Sequence, residues 1–342
     1  MKVAIGFRTV DGPWGGGNRF AKALDAGLTA VGHSVRHDLN GSDQDIILLT
    51  DPRWRNPSTA FTAGPILRHL AFRNPRAVVV HRVNECDERK GTHTMNAALA
   101  RANYCADFTV FVGAWLAELP VWRNHLRAPW TTILNGADPD LFHPSGFAPW
   151  TGDGPLNLVT HHWGGNRMKG FDVYERLDAL LDDPAWRGRL GFTYIGNLPP
   201  GFRFRNARHL APLDGPALAD ALRAHHGYVT ASINEPGPNH QNEGALCGLP
   251  LLYRRSGALP EYCTGFGIGF DGPDNFEAAL SRYVADYSRL LTLMPTYPHT
   301  TAHAIGQWIA LFTDLVARRD EIVAERRLWR DPLLFLRNQM PV

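Results

Sequence analysis

Two carboxylates, Glu235 and Glu243, are separated by seven residues in the segment Asn234–Pro250. A strand predicted over Tyr228–Ile233 runs into a loop broken by proline and glycine, and a helix is predicted to begin near His240–Glu243. Carboxylates at such a junction accept hydrogen bonds from sugar and ribose hydroxyls, and the N–H groups of a helix start bind phosphate. The residues alone equally fit a loop glutamate followed by a favourable acid in a first helical turn.

A basic segment, HHWGGNRMKGF, covers His161–Phe171 after the first strand of the second half. A glycine-containing loop that opens a helix and carries Arg167 and Lys169 combines the helix dipole with two cations. This pattern predicts an anion site, and two solvent-exposed cations are the alternative.

A glycine run, Gly15-Gly16-Gly17, lies between the first strand and the first helix. Glycines there permit positive φ and a close approach of the backbone to a ligand. Gly16 and Gly17 are therefore candidate ligand contacts, although a flexible turn explains them as well.

A histidine, His81, ends an apolar strand in the first half and is followed by the charged loop 84–91. A histidine at the carboxyl end of a parallel strand is placed at the mouth of a crevice, where His81 is a candidate catalytic group; a structural role is the alternative. This charged loop is either exposed to solvent or part of a surface that binds an acceptor substrate.

Aspartate pairs with D-x-D spacing occur at Asp43–Asp45 and Asp138–Asp140, and both are interpreted as turns. His161 and His162 are neighbours on a strand and point to opposite faces, which does not suit one metal ion. The cysteines form no C-x-x-C pair, and no P-loop or G-x-S-x-G motif is present. No metal site is predicted.

Short apolar runs alternate with helical patterns along the chain, which is typical of parallel α/β sheets. The predicted strands are Val3–Phe7, Ile46–Thr50, Ala77–Val83, Phe108–Val112, Thr131–Leu134, Leu156–His161, Phe192–Gly196, Arg208–Ala211, Tyr228–Ile233, Leu251–Arg254 and Gly267–Phe270. The predicted helices are Asn18–Val31, Pro65–Phe72, Thr92–Tyr104, Ala114–Leu126 and Phe171–Leu181, with long helices at the C-terminus. The predicted strands are continuously apolar rather than alternating, as expected when helices cover both faces of a sheet.

A segment rich in proline, glycine and tryptophan, 142–156, interrupts this alternation and is the predicted linker. The expected organisation is an N-terminal domain over 1–148, a C-terminal domain over 149–314 and a final segment over 315–342 that packs back on the first domain. The helix predicted over Leu315–Trp329 is basic and amphipathic, which leaves a peripheral membrane contact open.

The composition bounds the class of protein. The chain has 342 residues, 44% of them hydrophobic and 20% charged, with a formal net charge of +2. That balance fits a soluble folded protein of two domains and does not demand nucleic acid or an anionic membrane as a partner. The N-terminus lacks a signal-peptide pattern, no apolar run could span a bilayer, and the four cysteines fit a reducing compartment, so a cytoplasmic location is expected.

The segment Glu235–Pro250 resembles the E-x(7)-E motif of family 4 glycosyltransferases, which are retaining enzymes of the GT-B fold. The resemblance is specific in this segment and diffuse over the first half. It implies two Rossmann-like doubly wound domains facing a central cleft. Glu235 would then face the donor sugar and Glu243 bind the ribose, with Asn239, His240 and Gly244 in the same donor-binding segment.

The other segments take their roles from the same resemblance. Lys169 and Arg167 look like the basic element that neutralises the donor diphosphate, although Gly164 stands where the family usually has an arginine. The loop with Gly16 and Gly17 would approach donor and acceptor, and His81 is similar to the family's strand-end histidine near the sugar. Asn135, in a segment similar to N-G-x-D, would lie near the cleft.

The resemblance implies a metal-independent transfer, without a cofactor, from a nucleotide-sugar to an acceptor hydroxyl with retention of configuration. A UDP-sugar is favoured and a GDP-sugar is next. A nucleotide-sugar epimerase on the same fold and a non-catalytic sugar-nucleotide-binding protein are the alternatives. The acceptor is left open among a glycan, a lipid-linked glycan, a small molecule and a modified nucleic-acid base.

Overall fold

The chain forms two compact units, each with its own sheet. The structure is a computed structural model that describes residues 1–10, 15–126 and 128–340. One unit comprises Met1–Leu134 together with Ala302–Val342, and the other comprises Asn135–Thr301.

The first unit is built on a parallel sheet of six strands. These are β1 (Lys2–Ile5), β2 (Ser34–Arg36), β3 (Ile46–Leu49), β4 (Val78–Val83), β5 (Phe108–Phe111) and β6 (Trp130–Thr132), in the order β2-β1-β3-β4-β5-β6. Its helices are α1 (Gly16–Ala30), α2 (Ala63–Phe72), α3 (Met95–Ala102) and α4 (Pro120–His125). The strand order reverses between β1 and β3, and the carboxyl ends of these two strands are therefore the topological switch point of the sheet.

The second unit repeats the architecture with another parallel sheet of six strands. These are β7 (Leu156–His162), β8 (Leu190–Gly196), β9 (Arg208–Leu210), β10 (Gly227–Thr230), β11 (Leu251–Arg254) and β12 (Gly267–Phe270), in the order β12-β11-β10-β7-β8-β9. Its helices are α5 (Phe171–Leu180), α6 (Gly215–Arg223), α7 (His240–Leu246), α8 (Leu259–Cys263) and α9 (Pro273–Leu293). The order reverses between β7 and β10.

The chain returns to the first unit through α10 (Thr301–Ala317), α11 (Arg319–Glu325) and α12 (Pro332–Asn338). Trp308, Phe312 and Leu315 of α10 are buried in one core cluster with Val3 and Ile5 of β1. The return to the first unit was expected from residue 315, and α10 begins it earlier because its apolar face completes the core over β1.

The proline-rich segment that suggested a linker lies within the second unit. A Cβ on Gly248 would lie 2.9 Å from the ring of Phe147, and the rings of Trp150 and Tyr287 are in edge contact at 5.7 Å. This segment therefore covers the second unit, and the crossing from the first unit precedes it, at Leu134 and Asn135.

The predicted strands all form, with small differences in their bounds. Strand β2 was not predicted because its three residues are exposed or half-buried. The helix expected over Ala114–Leu126 is a 3₁₀ turn at Ala114–Leu116 followed by α4, since Pro120 starts a new helix. The helix expected over Leu315–Trp329 is divided between α10, α11 and a non-helical stretch. No described helix is long and apolar enough to cross a membrane.

Candidate active site

The predicted site residues of the second unit lie around the switch point between β7 and β10. His161 lies near the end of β7, and the loop after β10 leads through Glu235 into α7. Ligands of doubly wound sheets bind outside the carboxyl ends of the strands at such a reversal. The topology therefore brings the basic segment and the two glutamates to one sheet edge.

Lys169 and Glu235 form a buried ion pair between Nζ and Oε1. Their residues are 9% and 4% exposed. The short 3₁₀ turn at Arg167–Lys169 is tied to the segment after β10, because the N–H of Ile233 donates to the carbonyl of Met168 at 2.8 Å. Gly170 follows with a φ of 95°, and a Cβ there would lie 2.3 Å from the Ala231 carbonyl oxygen. The backbone thus places this ammonium group beside Glu235.

The loop at Glu235 is held in an unusual conformation. Asn234 has a φ of 53°, a left-handed value that is uncommon for any residue other than glycine. A Cβ on Gly257 would lie 2.6 Å from the N and O atoms of Glu235, and the Glu235 carbonyl accepts the N–H of Ala258 at 2.9 Å. The segment after β11 therefore fixes the turn that aims the Glu235 side chain.

Glu243 is paired with His161 of β7. The two side chains meet at 2.7 Å between Oε2 and Nε2, and Nδ1 of the histidine lies 3.0 Å from the Tyr228 hydroxyl. An imidazole with its proton on Nε2 satisfies both contacts, because the carboxylate accepts there and the hydroxyl donates to Nδ1. A Cβ on Gly244 would lie 2.3 Å from the Tyr228 ring. Gly244 therefore acts in the packing of α7 against this tyrosine.

Two further histidines, His162 and His240, lie next to His161. His162 is buried, and its Nε2 lies 2.8 Å from the Tyr174 hydroxyl. Burial holds its pKa well below the usual value, and the nearby His240, Lys169 and His161 act in the same direction. His240 lies half-buried with Nε2 2.7 Å from the Thr230 hydroxyl. The neutral His162 therefore supports the site from the core.

Asn135 braces the loop from the other side. Its side-chain amide donates to the Gly237 carbonyl at 2.7 Å, and its carbonyl accepts from Asn242 at 3.3 Å. Its own N–H donates to the Tyr262 hydroxyl at 2.7 Å. The structure thus places Asn135 beside the predicted donor-binding loop, where it positions the backbone between Glu235 and Glu243.

Three buried oxygens near the same junction have no hydrogen-bond partner among the described residues: Oγ of Ser232, Oδ1 of Asn239 and Oε1 of Gln241. Buried polar atoms are nearly always paired, and each exception calls for an explanation. A polar ligand at the strand–loop–helix junction would supply the missing donors. Asn239 is one of the predicted donor-binding residues, while Ser232 and Gln241 were not predicted.

Arg167 does not join the buried ion pair. Its side chain is 67% exposed and contacts Glu175 of α5 at 3.2 Å. The sequence, in contrast, indicates only that His161 is unsuited to sharing a metal ion with His162, and it does not predict the contact of His161 with Glu243. The contact between His161 and Glu243 depends on the strand order, which makes β7 and β10 neighbours.

The first unit has its own small cavity at its switch point. It measures about 80 Å³ and is lined by Phe7, Gly17, Phe20, Thr50, Asp51, Arg53, Arg82, Asn84, Glu85 and Arg89. Gly16 and Gly17 lie in the first turn of α1, and neither has a positive φ. Gly17 instead allows close approach, because a Cβ there would lie 3.2 Å from the Phe7 ring.

His81 lies inside the first unit rather than at the mouth of a crevice. It is fully buried in β4, and its Nδ1 accepts from the Asn103 side-chain amide at 3.0 Å. Burial lowers its pKa to about 3. The histidine is therefore neutral and packed in the interior, because β4 is covered on both faces and the carboxyl end of the strand is reached two residues later.

Within the described ranges, no group of three His, Cys, Asp or Glu side chains is arranged to hold a metal ion. This includes His161, His162 and His240, although their rings are neighbours.

No family model matches the chain, and no curated protein matches it in sequence. Solved structures do match it in fold. Sucrose-phosphate synthase from Thermosynechococcus elongatus superposes with a TM-score of 0.62 at 16% identity, covering 92% of this chain and 99% of that one. The Anabaena HepE structure in complex with UDP-glucose gives 0.63 at 12% identity, covering 92% and 100%. An E. coli structure described as trehalose-6-phosphate bound with UDP-2-fluoro glucose gives 0.65 at 12%, covering 91% and 98%.

The chain has the GT-B fold. The likeness covers both six-stranded sheets, and the two Rossmann-like units expected from the sequence are confirmed. The second unit, Asn135–Thr301, contains all five of the site residues Asn135, His161, Lys169, Glu235 and Glu243.

Proposed function

We propose that the protein is a glycosyltransferase that takes its sugar from a nucleotide-sugar donor bound by the second unit. One observation carries this proposal: two buried carboxylates, each held by a partner side chain in the contacts Lys169–Glu235 and His161–Glu243, lie at the switch point of that unit's sheet. Burying a charged group costs free energy that only close pairing offsets. Buried ionisable groups of this kind are often found at functional sites. The unpaired oxygens of Ser232, Asn239 and Gln241 mark the same junction as a place for a polar ligand.

The choice of a uridine donor rests on the structural neighbours. HepE is described in complex with UDP and with UDP-glucose, and the E. coli structure is bound with UDP-2-fluoro glucose. A UDP-sugar is therefore the proposed donor, with a GDP-sugar as the next candidate.

Lys169 and Glu235 would contact the two groups that the breaking bond joins, the diphosphate and the sugar. In a donor complex the ammonium of Lys169 faces the diphosphate and stabilises the negative charge that builds on it as the sugar leaves. The Glu235 carboxylate accepts hydrogen bonds from sugar hydroxyls. Their contact in the free protein keeps both side chains in place before the donor arrives, so little reorganisation is needed.

Glu243 and His161 would recognise the nucleoside. A carboxylate accepts both hydroxyls of a ribose. His161 and Tyr228 orient that carboxylate, because the hydrogen-bond chain from the tyrosine hydroxyl through the imidazole fixes its Oε2. His161 is thus proposed as a positioning residue for the ribose contact.

The finer chemistry belongs to the same proposal: retention of configuration, no metal requirement, and attack by the acceptor hydroxyl on the face from which the diphosphate leaves. The diphosphate then takes the proton of the acceptor hydroxyl, so that charge and protons balance. Lys169 supplies the positive charge that a metal ion supplies elsewhere.

The first test is thermal unfolding with a panel of nucleoside diphosphates and nucleotide-sugars in the presence of EDTA. A ligand at about 100 times its dissociation constant adds about 2.7 kcal/mol to the free energy of unfolding. We expect UDP to raise the melting temperature of the wild type and to do so less in Lys169→Ala and Glu243→Gln.

Arg176→Ala is the matched control, since Arg176 is an exposed cation of α5 paired with Glu277. It should respond to UDP as the wild type does. No stabilisation by any nucleotide, with or without magnesium, would overturn the donor-binding proposal, while the fold would stand.

The stereochemistry is read from slow hydrolysis of the donor. We expect the sugar released in the first minutes to have the anomeric configuration of the donor. The opposite anomer would contradict retention, and conversion of one nucleotide-sugar into another would favour the epimerase.

A further inference from the structure

The C-terminal segment of the first unit carries an exposed apolar face. Trp329, Leu333, Leu336 and Met340 are 55%, 79%, 61% and 57% exposed, and we call them the C-terminal apolar face. Residues 333, 336 and 340 recur at helical spacing, and the turn of α12 continues to Met340 because its N–H donates to the Arg337 carbonyl at 3.2 Å. The Trp329 ring stacks on Phe335 with centroids 4.3 Å apart. Leu333, Leu336 and Met340 therefore share one exposed side of this short element, and the exposed Trp329 lies next to it against the buried Phe335.

Five arginines lie in the segment that carries this face or contact it. Arg327, Arg330 and Arg337 belong to the same segment, and Arg68 and Arg101 reach it from α2 and α3 through contacts with Gln339 and the Met340 carbonyl. Within the described part of the chain, none of the five forms a salt bridge. The preceding arginines do: Arg318 pairs with Asp314, Arg319 with Asp45 and Arg326 with Asp107.

Two of these guanidinium groups repel each other. Burial and the charge of Arg337 lower the pKa of Arg101 below its usual value, and Nε of Arg101 is buried without a hydrogen-bond partner among the described residues. The single acid between residues 327 and 340 is Asp331, whose carboxylate caps α12 by accepting the N–H of Leu334 at 2.9 Å. An anion beside Arg101 and Arg337 would relieve this repulsion.

We propose that the C-terminal apolar face docks on the surface of an anionic lipid bilayer, with Leu333, Leu336, Met340 and Trp329 at the acyl boundary and the arginines on lipid phosphates. Apolar side chains beside arginines that form no salt bridge among the described residues match the chemistry of an anionic interface, and tryptophan is enriched at that depth. A second copy of this chain would bring the same positive charges together, which argues against self-association. The element lies on the surface and inserts no spanning helix.

The test is co-sedimentation of the full chain with vesicles of phosphatidylcholine alone and of an equimolar mixture with phosphatidylglycerol. We expect binding to the mixed vesicles that weakens in high salt, because screening removes the attraction to lipid phosphates. The double variant Leu333→Ser/Leu336→Ser should bind about tenfold more weakly per leucine. The double variant Arg327→Gln/Arg337→Gln should lose about fivefold per arginine.

Control variants remove similar groups elsewhere. Val31→Ser removes an apolar side chain that is 55% exposed, and Arg187→Gln/Arg289→Gln removes two exposed arginines of the second unit. Both should bind as the wild type does. No variant should melt markedly below the wild type, and all should keep its response to UDP.

Equal sedimentation with both kinds of vesicle and with all variants would overturn the proposal. So would a concentration-dependent dimer that is lost in Leu333→Ser/Leu336→Ser without vesicle binding, since it would assign the face to a second copy. Because UDP stabilisation is measured on the same proteins, failure of membrane docking is distinguishable from failure of the donor site.

Discussion

At the scale of single residues, the proposed site depends on how buried carboxylates are held. Glu235 meets a lysine on a neighbouring turn, whereas Glu243 meets a histidine that a tyrosine orients. Removing one member of such a contact leaves a charged or polar group in a place that water does not reach. Substitutions here therefore affect stability as well as binding, and each prediction needs a readout for both.

His161→Phe keeps an aromatic ring of similar shape and removes both ring nitrogens. We expect about 1–3 kcal/mol lower stability, because the polar groups that His161 contacts lose it as a partner. We also expect about tenfold weaker UDP binding, because the Glu243 carboxylate loses its orientation. Isothermal titration with UDP measures the second effect. His209→Phe, which removes a histidine contact with the Gly196 carbonyl at 2.8 Å, should leave UDP affinity unchanged. Equal affinity in both variants would contradict the role of His161.

The burial of His81 predicts a pH dependence of the first unit. Its folded pKa is lowered to about 3, against about 6.5 in the unfolded chain. The contribution of His81 to the free energy of unfolding is therefore complete above pH 6.5 and decreases as the pH falls from there towards 3. In that range the unfolded state binds a proton that the folded state does not bind. From pH 7.5 to 5.5 this histidine alone lowers the free energy of unfolding by about 1.4 kcal/mol.

Hydrogen exchange of the β4 amides at several pH values measures this change, after correction for intrinsic exchange. His81→Gln should show a slope smaller by about one proton, while other buried histidines keep part of the dependence. An unchanged slope would mean that His81 is accessible, which would restore the catalytic role expected from the sequence.

At the scale of elements, α7 is the part whose placement matters most, because it begins beside the unpaired oxygens and carries Glu243. Its backbone approaches β10 closely at Gly244, where a Cβ would lie 2.3 Å from the Tyr228 ring. A methyl group at that point pushes the helix away from the strand and moves Glu243 and His161 apart.

Gly244→Ala should therefore lower the free energy of unfolding by about 1–3 kcal/mol and weaken UDP binding, measured by urea unfolding and titration. Gly306→Ala is the matched control, since Gly306 is also a helical glycine and a Cβ there would meet no atom within 4 Å. It should stabilise the protein by up to about 1 kcal/mol through helix propensity. Stabilisation by both substitutions would show that α7 tolerates the methyl group.

Particular residues show what the sequence predicts and what it does not. Continuous apolar runs such as Ile46–Leu49 predict buried strands, and an apolar run followed by a loop broken by proline and glycine predicts the strand–loop–helix junction after Tyr228; both are confirmed. The exposed strand β2 has no such pattern. The contact of His161 with Glu243 joins residues 82 positions apart. It depends on β7 and β10 being neighbours, which no local pattern records.

At the scale of the whole molecule, the chain crosses between its units twice, and each unit has a separate core. Trp308 of α10 is 2% exposed in the core over β1, where its ring meets Phe20 at 5.3 Å. Trp186 is 8% exposed in the core of the second unit, and its Nε1 donates to Glu277 at 3.0 Å. Residues near the C-terminus are therefore needed to complete a core that begins at β1.

Separate cores predict two calorimetric transitions that substitutions move independently. Trp308→Ala should lower the transition of the first unit and Trp186→Ala that of the second, each by about 3–5 kcal/mol of unfolding free energy. Because the proposed donor contacts lie within Asn135–Thr301, UDP should raise the transition that Trp186→Ala lowers. If UDP raised the transition moved by Trp308→Ala, the donor would be bound by the first unit, and the roles proposed for Lys169, Glu235 and Glu243 would be wrong. If both variants shifted one common transition, the two units would unfold as one cooperative body.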